Sequence, residues 1–148
     1  MGAYIFMYFF AIPGPAFPLI NTEAMVVVQA TTPGNNPYLM VLAAALGHVT
    51  LYVILHALGE QTLHRWSYLS KKLNALTDVQ RERFRNSTTA GFVIGGVMGV
   101  PPVILLAPLA STLGYSRLLM AVITLAGRLI RFGVLVGAGN ELRAWFGV

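Results

Sequence analysis

Residues 38–58 read YLMVLAAALGHVTLYVILHAL. The run holds no formally charged residue. At a helical rise of 1.5 Å per residue it extends about 31 Å, enough to cross a hydrocarbon core of about 30 Å. A transmembrane helix is expected here. The surroundings have the same character: of 148 residues, 56% are hydrophobic and 10% charged, with a mean hydropathy of +0.69. Soluble domains run at about 45–50% apolar and about 25% charged, so this chain has too few charges to cover a water-facing surface. A single all-α integral membrane domain, residues 1–148, is expected. The chain has no cysteine, which excludes disulfides and thiolate chemistry.

Three more hydrophobic stretches flank that run, at residues 4–29, 90–113 and 115–139. The first is interrupted by Pro13, Pro15 and Pro18, and the third by Pro101, Pro102 and again by Pro108. Proline removes a helix hydrogen bond and clashes with the preceding turn. Irregular backbone at membrane depth survives only inside protein or beside a wet cavity. Both stretches therefore read as re-entrant hairpins, with a proline-kinked spanning helix as the alternative. The N-terminal residues 1–10 carry no Lys or Arg, unlike a secretory signal, and are expected to be retained.

Between the halves, residues 60–87 place Leu63, Trp66, Leu69, Leu73, Leu76 and Val79 at spacings of three or four among charges. That pattern suits an amphipathic interfacial helix, with a soluble linker helix as the alternative. Thr77-Asp78-Val79-Gln80 fits a capping box, so a second short helix is expected from there. The net charge of +5 is concentrated in this linker, where Arg65, Lys71, Lys72, Arg81, Arg83 and Arg85 lie. Basic residues beside spans mark the cytoplasmic side and attract anionic headgroups. The expected location is the cell (inner or plasma) membrane, multi-pass, with the linker cytoplasmic. No folded basic domain is available for nucleic acid.

Sliding the chain over itself by 80 residues aligns residues 37–59 with 117–139 without gaps. Leu39-Met40 meets Leu119-Met120, Gly47-His48 meets Gly127-Arg128, Tyr52 meets Phe132, Leu55 meets Leu135, and Gly59 meets Gly139. Upstream, a three-residue gap brings Pro18 onto Pro101. Two repeats follow, residues 13–59 and 90–139, each a proline-broken segment, a turn and a spanning helix. If both broken segments are re-entrant, the repeats are inverted, a plan of secondary transporters with the site where the repeats meet.

Glu23 is the only acidic residue in the first stretch, in the run Asn21-Thr22-Glu23. An intramembrane carboxylate is a candidate for function, including proton carriage; a helix-capping role at the interface is the alternative. Arg128 and Arg131 lie near the middle of the last stretch, three residues apart and so on one helix face. Each costs on the order of 2.5–3.5 kcal/mol at a bilayer centre. With the nearer helix end roughly 17 Å from Arg128, a partner is required. Glu23 or a lipid phosphate would serve, and a purely structural Arg–Glu bridge is the alternative. His48, His56 and His64 recur every eight residues, about 12 Å apart along a helix, so they cannot share one metal ion. Polar packing is the plainer reading, with His48 a further candidate in a polar pathway beside Asn21. No P-loop, HExxH, GxSxG or paired-carboxylate motif occurs, so neither catalytic residues nor cofactors are expected.

These pieces resemble the DedA-like membrane family, also called the VTT or SNARE-associated Golgi protein domain, in its short members. The likeness is carried by FPLINTEAM ahead of a small-residue span, the linker ending RERF, the block GGVMGVPPVILLAPLASTLGYSRLLMA and the terminal GRLIRFGVLVGAG. It covers roughly residues 13–140. The resemblance implies two inverted units and movement of phospholipids or polyprenyl phosphate carriers across the bilayer. It also implies a functional acid at Glu23 and a Gly-Arg-x-x-Arg run at Gly127, Arg128 and Arg131. The second hairpin departs from larger members, which carry an arginine where this chain has only apolar residues between Gly99 and Leu109. The rival expectation is an accessory subunit that transports nothing and packs against a larger membrane complex. Membrane lipids are the expected partners, with a homodimer closing the groove in the transporting case.

Overall fold

The computed structural model describes residues 1–17, 19–65, 77–100 and 102–146. Among the described residues there are six α-helices and no strand: α1 (Gly2–Ala11), α2 (Thr22–Thr31), α3 (Pro37–Arg65), α4 (Asp78–Met98), α5 (Val103–Thr112) and α6 (Arg117–Phe146). Two segments within α3 and α6 are long and apolar enough to cross a membrane, Pro37–Gly59 and Arg117–Glu141, with mean hydropathy 2.0 and 1.9. At ten residues each, helices α1, α2 and α5 reach only about 15 Å.

The proline-rich interruptions separate helices. After α1, successive turns carry the chain through Pro13 and Pro15, closed by Gly14 N–H to Ala11 O (3.2 Å), Ala16 N–H to Pro13 O (2.9 Å) and Ile20 N–H to Phe17 O (2.9 Å). Helix α1 packs against α2, and α4 against α5, so each broken stretch is a pair of packed helices and not one kinked rod. Helix α4 ends where Gly99 turns left-handed (φ 84°) and returns its N–H to Gly95 O, and Pro102 caps the start of α5. Pro108 does not break the third stretch a second time, because it lies within α5. The expected breaks at Pro18 and Pro101 lie outside the described residues.

In the described parts of the linker, residues 60–65 and 78–87, the chain belongs to the flanking helices. Helix α3 continues past Gly59 to Arg65, since Glu60, Gln61 and Leu63 are good helix formers and no Gly or Pro follows to stop it. The capping box starts α4: Gln80 N–H donates to Thr77 Oγ1 (3.4 Å) and Thr77 N–H to Gln80 Oε1 (3.1 Å). The helix then runs without interruption into the third hydrophobic stretch, because no breaker intervenes before Gly91. Lys71, Lys72, Trp66 and the rest of residues 66–76 lie outside the described residues.

The chain divides into two compact units, Met1–Leu51 with Arg128–Val148, and Tyr52–Gly127. In the first, Met7 and Ala11 of α1, Val26 of α2, Met40, Ala44 and Ala45 of α3 and Phe132 of α6 are fully buried. Small residues let the backbones approach closely. A Cβ at Gly47 would sit 2.5 Å from Tyr8 O and 2.7 Å from Ala11 Cβ, and one at Gly139 would sit 2.7 Å from Val27 Cγ1. Hydrogen bonds between Tyr8 Oη and Thr50 Oγ1 and from Asn36 N–H to Tyr4 Oη, both 2.9 Å, tie α1 to α3 and to the turn before it.

In the second unit the core is Tyr52, Phe92, Val103, Ala107, Ala110, Tyr115 and Met120. Here a Cβ at Gly127 would meet Gly96 Cα at 2.8 Å, and one at Gly59 would meet Pro108 O at 2.6 Å. His56 Nε2 lies 3.0 Å from Tyr115 O, and Tyr115 Oη lies 2.9 Å from Thr89 Oγ1.

The offset of 80 recurs in the local structure. Helices α3 and α6 begin at Pro37 and Arg117. The turns before them use left-handed Gly34 and Gly114, and Asn36 and Ser116 cap them through their side chains. Met40 and Met120 are both fully buried, as are Tyr52 and Phe132. Gly47 abuts α1 as Gly127 abuts α4, and Gly139 abuts α2 as Gly59 abuts α5. Upstream, α2 and α5 are both ten-residue helices, starting at Thr22 and Val103.

Candidate functional site

Helix α2 opens on Asn21, whose Oδ1 accepts the Ala24 N–H at 2.9 Å. The Asn21 side chain is thereby committed to the helix cap, which gives it a structural task. The cap places Glu23 in the first turn, where a carboxylate is favoured by the helix dipole. Within the same unit, α6 presents Arg131 to Glu23: Nε and Nη2 both approach Oε1 at 2.6 Å. The two residues lie 108 apart in sequence. The side chains are 24% and 38% exposed, so the pair is reachable from outside the unit.

One turn earlier on α6, Arg128 is buried, as is His48 on α3. Phe132, fully buried, lies between them in sequence register: it is four residues after Arg128, and its ring meets the His48 ring edge-on at 5.2 Å. Thr22 is buried beside Glu23, with its Oγ1 facing Gly14 so closely that any side chain at position 14 would collide with it. The first unit thus gathers Glu23, His48, Arg128 and Arg131 from α2, α3 and α6. Phe132 and the Gly14–Thr22 contact belong to this group and were not singled out from the sequence. The available signal was that His48 and Arg128 occupy matching positions at the offset of 80, with Phe132 four residues after Arg128.

His56 serves differently from His48. Its bond to Tyr115 O satisfies a backbone carbonyl in the turn before α6, and the side chain of His64 lies outside the described residues. Among the described residues no cluster of three His, Asp or Glu has metal-binding proximity. Of the basic linker residues, Arg83 and Arg85 are exposed on α4, where Arg85 lies 3.8 Å from Glu82. The side chains of Arg65 and Arg81 lie outside the described residues.

The first unit also holds a cleft of about 500 Å³ between Pro37, Tyr38 and Val41 of α3 and Leu129, Gly133, Val136, Gly137 and Asn140 of α6. A helix advances about 100° per residue, which puts Arg131 roughly 200° around α6 from Leu129. The cleft is therefore separate from the ionic group. Comparison of the chain with protein-family models, with curated proteins and with solved structures returns no match.

Proposed function

We propose that the chain is a multi-pass integral membrane protein of the DedA-like type. In this reading it lets phospholipids or lipid-linked phosphates change leaflets. The observation that carries the proposal is the Arg131–Glu23 pair, drawn from apolar stretches of both halves and left partly open. Charged side chains are rare in such stretches, and where they occur they commonly mark a pathway for polar groups.

Membrane insertion is supported by the exposure of the long helices. Only 44% and 33% of the two span windows is buried within the chain, so most of their apolar surface needs another apolar environment. In this reading α1–α2 and α4–α5 are re-entrant hairpins, the repeats are inverted, and the basic linker lies at the cytoplasmic surface of the cell membrane. Arg128 and Arg131 bind phosphate through the planar guanidinium fork, and Glu23 modulates them. Arg128→Leu is expected to abolish lipid movement in liposomes while inserting normally. Unchanged movement in that variant contradicts the assignment.

The open faces of α3 and α6 and the 500 Å³ cleft also favour a second reading, an accessory subunit packed against a larger membrane complex. Co-purification of one stoichiometric larger partner, together with liposomes that move no lipid, supports it over transport.

A further inference from the structure

The cleft in the first unit has a direction. Its α6 wall is Leu129, Gly133, Val136, Gly137 and Asn140, which share one helix face at about 100° per residue. From Leu129 to Asn140 that face extends about 16 Å. The α3 wall is the first turn, with Pro37, Tyr38 and Val41. The His48 ring meets the Phe132 ring at 5.2 Å, so a parallel α6 would set Ala121 opposite Pro37, outside the cleft. The two helices therefore run antiparallel here, with Asn140 at the Pro37 end and Leu129 at the inner end. Pro37 begins one apolar segment and Glu141 ends the other, so the Asn140 end lies where both segments stop. Asn140 and Tyr38 make that end polar, and Val41, Val136 and Leu129 make the rest apolar.

We infer that this cleft seats one acyl chain of a bilayer lipid, with the lipid's head at Asn140 and Tyr38 and the chain along Gly137 and Gly133 towards Leu129. This rests on the membrane reading above and goes beyond it, because the cleft is separate from the ionic group. Half of a hydrocarbon core of about 30 Å is about 15 Å, the depth of one leaflet's chains, and the cleft matches that depth. A crossing helix matches it poorly. Such a helix is about 10–12 Å wide and would follow α6 for about 30 Å, whereas the lining ends at Leu129. The volume, about 500 Å³, lies within the range of about 300–1,000 Å³ for sites that take a single small ligand. Glycine makes the room: a Cβ at Gly133 or Gly137 would meet nothing within 4 Å. Both positions therefore accept a side chain that displaces the lipid and not the protein.

The test is native mass spectrometry of the full chain in mild detergent, titrated with phosphatidylcholine. The wild type is expected to bind a first lipid about tenfold more tightly than a second, a step of about 1.4 kcal/mol. Gly133→Leu combined with Gly137→Leu is expected to lose that first step. Equal uptake by wild type and variant overturns the inference, and so does a wild-type dimer that the variant abolishes, which gives the cleft to a second copy. A second measurement needs no variant. In liposomes of phosphatidylcholine with a diazirine in its acyl chain, the wild type is expected to be cross-linked more heavily at Leu129 and Val41 than at Val134, which is 65% exposed outside the cleft. Heavier label at Val134 overturns the inference. Lipid movement without a selective first lipid removes this inference and leaves the transfer reading, and a selective first lipid without lipid movement does the reverse.

Discussion

Gly47 and Gly133 show how much a single glycine depends on its surroundings. The position of Cβ at Gly47 is already occupied by Tyr8 O and Ala11 Cβ, whereas nothing lies within 4 Å of it at Gly133. Gly47→Leu is expected to destabilise the fold by about 1–3 kcal/mol through displacement of α1. Gly133→Ala is expected to be neutral or to stabilise by up to about 1 kcal/mol through helix propensity. Denaturant unfolding in mixed micelles measures both, and equal effects contradict the packing described for α1 and α3. The same scale shows what could be read in advance. Glu23, Arg128 and Arg131 stand out as charges in apolar runs, and apolar surroundings demand partners, so the Glu23–Arg131 pair was legible. The contact of Thr22 with Gly14 was not, because both are common turn and cap residues whose meeting depends on how the turns after α1 fold.

At the scale of elements, local chemistry decided most boundaries. Thr77 and Gln80 form both halves of the capping box, as their spacing implied. Thr77→Ala is expected to cost about 0.5–2 kcal/mol and to speed amide exchange in the first turn of α4. Unchanged exchange there contradicts the capping geometry. His56→Leu removes the partner of Tyr115 O, and an unsatisfied buried carbonyl is expected to lower stability by about 1–3 kcal/mol in the same unfolding assay. Two element readings went astray for physical reasons. Pro108 was read as a break, yet it sits inside a ten-residue helix that is also held by packing of Ala107 and Ala110 in the core. The stretch after Asp78 was read as a separate short helix, yet α4 continues through it to Met98, with neither proline nor glycine between Asp78 and Ala90 to stop it.

At the scale of the whole molecule, an offset of 80 residues pairs residues of the α3 and α6 stretches in the sequence. The structure adds the matched starts, caps and left-handed glycines of α3 and α6. Orientation in a membrane is a separate question, carried by the basic residues around α4. Ser87 is exposed at the end of that region, so Ser87→Cys is expected to resist impermeant thiol reagents added outside intact cells and to react after permeabilisation. Labelling from outside contradicts a cytoplasmic linker. The proposed movement of lipid between leaflets is measured most directly by the fate of a fluorescent phospholipid in sealed liposomes exposed to an external quencher. Vesicles containing the purified wild type are expected to lose inner-leaflet fluorescence as well as outer. Loss confined to the outer leaflet, as in protein-free vesicles, contradicts the claim.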